Sequence, residues 1–414
     1  MKTAFTYDVA ASTLHDATST ARILAEHERA LSEAGGARRG FADAPHGDPL
    51  FHVVLTGGTE GIVLERIERR RALAGREPVV LVAHPLHNSL PASLEILARV
   101  RRDGGIGRIV FLSGDLAADR ERLAQAATLS AVSLGLRLAR IGAIGGPSDW
   151  LVASAHDAET VRASWGSELV ALAFEPIFER MAVNDADRDQ ARQFAERARG
   201  CREPDLETLA QAMAVYRVLR ETVEAQRLDA ITVRCFELVV RERTTSCIAL
   251  SRLCDEGVPA GCEGDVPSVL SLLWLYRLTG EMPWMANPSR VDLSTGEILL
   301  AHCTVPCGCV RSFELRSHFE SGLGVAISGE LAPGPVTLVR LGGARLEAVW
   351  ICEGELIASG TEEGLCRTQA RIRADKAMLA ELLERPLGNH LVVLRGHQAE
   401  LVRASRRFVL GRED

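Results

Sequence analysis

The chain has 414 residues, 47% hydrophobic and 25% charged, with 48 basic and 55 acidic residues giving a formal net charge of −7. These values describe a globular protein with a sizeable core and, at this length, roughly two or three domains. The charges are interspersed, without a basic stripe or aromatic–basic interleaving, which argues against nucleic acid as a partner. No apolar run approaches the ~20 residues that span a bilayer, and Met1–Asp8 lacks the apolar core of a signal peptide. The ten cysteines lack the density of a disulfide scaffold and read as reduced thiols, so the expected location is the cytoplasm.

In chain order, Ala17 to Ala34 reads as a helix ended by Gly35-Gly36, and Ala37 to Pro49 as a loop. The apolar run Phe51 to Leu55 enters Thr56-Gly57-Gly58-Thr59-Glu60 and then a helix from Gly61 to Leu73, a βα unit of a parallel sheet. The pattern repeats. Pro78 to Val82 leads through His84, His87 and Asn88 to a helix with Ser89 as expected N-cap and Pro91 in its first turn. Arg108 to Leu112 leads to a helix from Arg120 to Leu134. A second such region starts near Leu136, with a strand from Arg137 to Ile144, the glycine turn Gly145-Gly146-Pro147-Ser148, and an apolar stretch from Asp149 to Ala155. Helices follow from Asp157 to Ser164, Asp185 to Arg199 and Glu207 to Glu224. The short buried-type strand Asp229 to Cys235 delivers Phe236-Glu237, and the helix Val266 to Thr279 is closed by Gly280.

From about Glu297 short apolar runs alternate with glycine and proline: Ile298 to Ala301, Gly324 to Ser328, Val336 to Leu341, Leu346 to Cys352 and His390 to Arg395. This texture predicts an antiparallel sheet or small barrel, interrupted by a helix from Asp375 to Leu383. The expected fold is therefore α/β, with doubly wound parallel sheets followed by a β-rich C-terminal domain.

Three loops carry the residues of chemical interest. Ala260-Gly261-Cys262-Glu263-Gly264-Asp265-Val266-Pro267-Ser268 lies at a strand-to-helix junction, the edge where α/β sheets form sites. Asp265 suits a helix N-cap as well as a ligand, and Glu263 is the alternative acid. Glu237 follows a buried strand, where a charge is costly unless paired or metal-bound. His390 enters an apolar strand and reads either as a packed histidine or as a ligand, an ambiguity shared by His302 and His318. Glu237, Asp265 and His390 together, with open positions, suit Mn²⁺ or a similar divalent ion. Such an ion polarises neighbouring oxygens of an open-chain sugar. Cys303, Cys307 and Cys309 lack a fourth metal partner at a convincing spacing and read as small residues of a tight loop. Thr56 to Glu60 lacks both the P-loop and the dinucleotide fingerprint.

Cys262-Glu263-Gly264-Asp265, its small-residue-led apolar helix and Leu278-Thr279-Gly280 resemble the metal-site segment of L-fucose isomerases, whose architecture L-arabinose isomerases share. Glu237 resembles that family's first metal carboxylate and Asp265 its second. Asn389-His390 resembles the late Asn-His pair that completes the site. Thr56 to Glu60, Asn88 to Glu95 and Gly145 to Trp150 also resemble segments of shorter fucose isomerase-like proteins. The resemblance implies two Rossmann-like domains, 1–135 and 136–296, the second carrying the metal carboxylates, and a β-rich domain, 297–414, carrying the late histidine. It also implies Mn²⁺ and a homo-oligomer whose sites adjacent subunits complete. The chain is shorter than typical members, and most sugar-contacting residues find no counterpart, so the sugar is left open.

The expected activity is a metal-dependent aldose–ketose isomerase acting through an enediolate. Glu237 and Asp265 would shuttle the proton between C1 and C2, and Asn389 and His302 would position hydroxyls. The alternatives are an epimerase or carbon–carbon lyase using the same chemistry, and a non-catalytic sugar-binding protein.

Overall fold

The computed structural model describes residues 3–45, 47–72 with the backbone of 73–74, and 77–411. Met1 and Lys2 of the N-terminal reading, and position 46 of the expected loop, lie outside them. Contacts divide the chain into two compact units, Met1–Arg137 with Leu401–Asp414, and Leu138–Glu400.

In the first unit β1 (Phe5–Ala10), β2 (Gly36–Arg38), β3 (Leu50–Val54), β4 (Val79–Ala83) and β5 (Gly107–Phe111) form a parallel sheet in the order β2-β1-β3-β4-β5. β3 and β4 are buried at every position, as continuous apolar runs in a covered parallel sheet should be. Val54, Leu81, Ile96 and Val100 share one core cluster with Val63 and Ile67. β1 is a strand that the pattern did not reveal, because its sequence FTYDVA is half polar. Its Asp8 is buried and accepts from His52 Nδ1 at 2.8 Å and Arg66 Nη1 at 3.2 Å, which compensates the charge. Ser89 does not cap its helix. Asn88 holds the cap position without a side-chain hydrogen bond, and the Ser89 hydroxyl donates to the Val54 carbonyl and accepts from His84 N–H.

The second unit begins with β6 (Arg140–Ile144), β7 (Glu168–Leu172), the two-residue β8 (Gly200–Cys201), β9 (Ala230–Val233) and β10 (Ala260–Cys262). A parallel sheet runs β10-β9-β6-β7. Eight strands follow: β11 (Trp284–Asp292), β12 (Glu297–His302), β13 (Val310–Arg316), β14 (Ala326–Leu331), β15 (Gly334–Gly342), β16 (Ala348–Ser359), β17 (Thr368–Ala374) and β18 (Leu391–Arg395). Six of them close into an antiparallel barrel, β11-β12-β17-β16-β15-β18, while β14-β13-β8 form a small sheet. Residues two apart point to one face of a strand. Trp284 and Ala286, Ile298 and Leu300, Trp350 and Cys352, Ala370 and Ile372, and Leu391 and Val393 all bury in one cluster. Closure also leaves the barrel no unpaired strand edge. The fold is thus α/β with two parallel sheets and a β-rich C-terminal barrel. Among the described residues no helix is long and apolar enough to cross a membrane.

Candidate metal and substrate site

Three loops leave the carboxyl edge of the β10-β9-β6-β7 sheet and are tied to one another. The Ser148 N–H after β6 donates to the Glu263 carbonyl at 2.9 Å. Arg234 after β9 donates to the Pro147 carbonyl at 3.0 Å and to Asp149 at 2.8 Å. After β10 the backbone turns through left-handed φ values of 63° at Glu263 and 73° at Gly264. Gly264 is required there twice over: L side chains disfavour this φ, and a Cβ would lie 2.1 Å from the Gly146 carbonyl oxygen. The turn ends on Asp265, N-cap of the helix Val266–Thr279, which accepts from Ser268 N–H at 2.8 Å.

Ligand-type atoms of Glu263, His302 and His390 lie within 4.8 Å of one another. His302 ends β12 and His390 immediately precedes β18, so the two strands that flank β11 present both imidazoles. Their ring centroids are 5.5 Å apart. His390 Nδ1 lies 2.8 Å from Asp265 Oδ2. A carboxylate only accepts, so Nδ1 carries the hydrogen and Nε2 faces the group. Nε2 is buried without a hydrogen-bond partner; Glu263 Oε1, at 3.6 Å, is an electrostatic contact too long for a hydrogen bond. An orphaned buried nitrogen beside a second imidazole and a carboxylate fits a divalent transition-metal cation.

The electrostatics favour positive charge in the site, whether a proton on His390 or a cation in its place. Burial opposes the charge on Glu263, but His390 and the Trp150 N–H outweigh it and hold the carboxyl at about 2. Trp150 Nε1 donates to Glu263 Oε2 at 2.7 Å. Burial, reinforced by nearby His390, lowers His302 to about 4 and keeps it neutral. His302 Nδ1 is 2.9 Å from Thr304 Oγ1, which orients the ring. Burial also works against charge on His390, yet Asp265 and Glu263 prevail and raise it to about 9.

Behind His390 lies a buried charge network. Asp265 has no exposed surface. Burial disfavours its ionised form, but Arg340 and His390 hold its carboxyl well below the usual range. Arg340, 1% exposed, donates to Asp265 Oδ2 at 3.0 Å, Ser268 Oγ at 2.7 Å and Ser154 Oγ at 2.6 Å. A Cβ on Gly388 would lie 2.0 Å from its guanidinium, so a glycine lets the His390 loop pass. An outer carboxylate that fixes a histidine tautomer is the usual support of a metal-binding imidazole.

The site opens on a cavity of about 220 Å³ whose wall includes Phe236, Glu263, His302, His318, Phe319 and Glu320. Five thiols also line it: Cys235, Cys247, Cys262, Cys303 and Cys366. Phe236 packs edge-on against both Trp150 and His318. Glu320 is exposed and forms no ion pair in the described residues.

The expected set is only partly brought together. His390 and Asp265 are in contact, but Asp265 lies behind the imidazole, off the cavity wall. Glu237 stands in the first turn of the helix Phe236–Glu242, 44% exposed, paired with Arg234 Nε at 3.3 Å. It belongs neither to the three-residue group nor to the cavity wall. Of the acids, Glu263 is the one that lies with the two histidines: an N-cap aspartate folds back on its own helix, whereas the left-handed turn before it aims Glu263 into the cavity. His302, expected to position hydroxyls, is one of the three residues whose ligand-type atoms lie together. Asn389 is exposed and off the wall. Trp150 and Arg340 went unread; Trp150 shares the Gly145 to Trp150 turn, but a buried arginine in an apolar strand carries no local signal. Cys303 faces the cavity, while Cys307 lies near Ser251 and Cys309 donates to the Met282 carbonyl. Cys303, Cys307 and Cys309 thus form no common group; Cys303 instead adjoins Cys247 and Cys366.

No known family profile matches the chain. Over 130 residues it is 27% identical to the sulfoquinovose isomerase of Alkalicoccus urumqiensis, a stretch that makes up 30% of this chain and 29% of that protein. The match thus spans less than a third of either chain, and over that stretch the protein is similar to an enzyme named as an isomerase of a sugar.

Proposed function

We propose that this protein is an aldose–ketose isomerase of an open-chain sugar or sugar derivative. It would use Mn²⁺ or a similar divalent cation held by Glu263, His302 and His390. The observation that carries the reading is the buried, partnerless Nε2 of His390 facing the other two ligand-type groups. The partial similarity to sulfoquinovose isomerase supports the reaction class. When bound, the cation would supply Lewis-acid polarisation of the sugar's carbonyl and adjacent hydroxyl oxygens.

The protein's own groups do the rest. Asp265 holds the His390 tautomer. The Trp150 N–H fixes one oxygen of Glu263. Phe236 and Phe319 exclude water from one side of the cavity, and the proton that moves between C1 and C2 needs a carboxylate on the wall. Glu263 is engaged by Trp150 and the cation, which leaves Glu320 as the proton carrier.

The test is NMR of sugar mixtures in D₂O with added Mn²⁺, over neutral, deoxy and sulfonated pentoses and hexoses. One deuteron incorporated at the carbon receiving the proton, with an unchanged carbon count, is the expected result. A C2 epimer or shortened fragments would mean epimerase or lyase instead. No conversion, together with wild-type Mn²⁺ binding by Glu263→Gln, would end the proposal.

A further inference from the structure

Isomerisation has no use for thiols, yet five cysteines line the cavity. Two of them touch. Cys235 and Cys262 Sγ are 3.0 Å apart; Cys262 ends β10, and Cys235 lies two residues past the end of β9, its parallel neighbour. Both are free thiols and both are buried except toward the cavity, at 7% and 5% exposure. About 1 Å of closure separates them from the disulfide bond length of about 2.05 Å.

Each thiol also adjoins Glu263 by a different route. Cys262 precedes it in sequence. Cys235 precedes Phe236, whose ring packs on Trp150, the donor to Glu263 Oε2. The turn after Cys262 cannot follow a pull as a rigid body. Its Glu263 carbonyl is held by Ser148, and Gly264 has no space toward Gly146. Movement at Cys262 therefore falls on the Glu263 backbone, already at a left-handed φ of 63°.

We propose that Cys235 and Cys262 are an oxidative modification site: a small hydroperoxide entering by the substrate cavity closes them into a disulfide, which draws Glu263 out of the cation group. Hydrogen peroxide converts one thiol to a sulfenic acid and releases water. The second thiol then displaces the hydroxyl, forming the S–S bond and a second water. The two sulfurs together lose two electrons, which reduce the O–O bond, and a dithiol reductant reverses the change. The effect on the cation rests on the proposed function; formation of the bond does not.

The experiment treats the full-length protein with hydrogen peroxide, maps disulfides by peptide mass spectrometry, and titrates Mn²⁺ by electron paramagnetic resonance before and after. The expected result is a Cys235–Cys262 bond, Mn²⁺ binding at least ~10-fold weaker, the loss expected when support of a metal ligand is disturbed, and recovery with dithiothreitol. Cys235→Ser and Cys262→Ser, each compared with its own untreated form, should lose the response, whereas Cys366→Ser should keep it. Absence of the bond, bonding to other cysteines, or unchanged Mn²⁺ affinity in the bonded form overturns the proposal. If the untreated protein takes up no Mn²⁺, the functional reading fails, and the mapped bond alone decides the thiol site.

Discussion

Replacing Asp265 with Asn separates a cation ligand from the group that holds one. The substitution keeps the shape and removes the charge. Three donors converge on this carboxylate: Ser268 N–H on Oδ1, and Arg340 Nη1 and His390 Nδ1 on Oδ2. Asparagine offers one oxygen and one NH₂. In one orientation the NH₂ faces Ser268 N–H and undoes the cap; in the other it faces both Arg340 and His390. Either way Arg340, 1% exposed, keeps its charge without a counter-ion, and breaking a buried pair from one side costs about 3–5 kcal/mol. Loss of a histidine's outer carboxylate weakens metal binding by about 10–100-fold, or ~1.4–2.7 kcal/mol. Urea unfolding reads the first quantity and Mn²⁺ titration the second. Asp265→Asn should be destabilised and bind Mn²⁺ weakly but at full stoichiometry, while Glu263→Gln should lose stoichiometric binding. Asp265→Asn with wild-type stability and affinity would refute the reasoning. The reverse ranking, with Asp265→Asn losing the ion and Glu263→Gln keeping it, would return Asp265 to the cation itself.

Four further outcomes are expected. His390 is raised from 6.5 to about 9 in the folded protein. Its contribution to metal-free stability is therefore complete below pH 6.5 and lost as pH rises through about 9, which the pH dependence of the urea midpoint should show and His390→Gln should flatten. Because a cation competes with that proton, Mn²⁺ binding should tighten across the same interval and release protons, measurable by calorimetry in buffers of different ionisation enthalpy. Gly264→Ala should cost more than ~1 kcal/mol in chemical denaturation, since it combines a left-handed φ with a collision against Gly146. Glu320→Gln should abolish turnover while leaving the Mn²⁺ titration unchanged; retained turnover would remove Glu320 from proton transfer.

Local sequence determined the elements whose burial is continuous. The runs Phe51 to Leu55, Pro78 to Val82 and Asp229 to Cys235 contain strands that are buried throughout, and the apolar segment after Asp265 is a helix capped where its residues predict. These signals are local, because apolar period and cap chemistry act within one turn or one strand. Half-polar strands such as Phe5–Ala10 escaped notice because their charges are neutralised by residues about 44 and 58 positions away. The late histidine and the acid-bearing loop were also legible, but not which acid faces the cavity. Asp265 and Glu263 are two residues apart, and spacing treats them alike. Only the tertiary structure separates them: the helix amides and Arg340, 75 positions on, claim Asp265, and the turn pinned by Gly146 and Ser148 sends Glu263 toward His302 and His390. Pairing within the barrel decided the rest, since β12 and β18 both pair with β11, which brings the end of β12 and the start of β18 to the same opening.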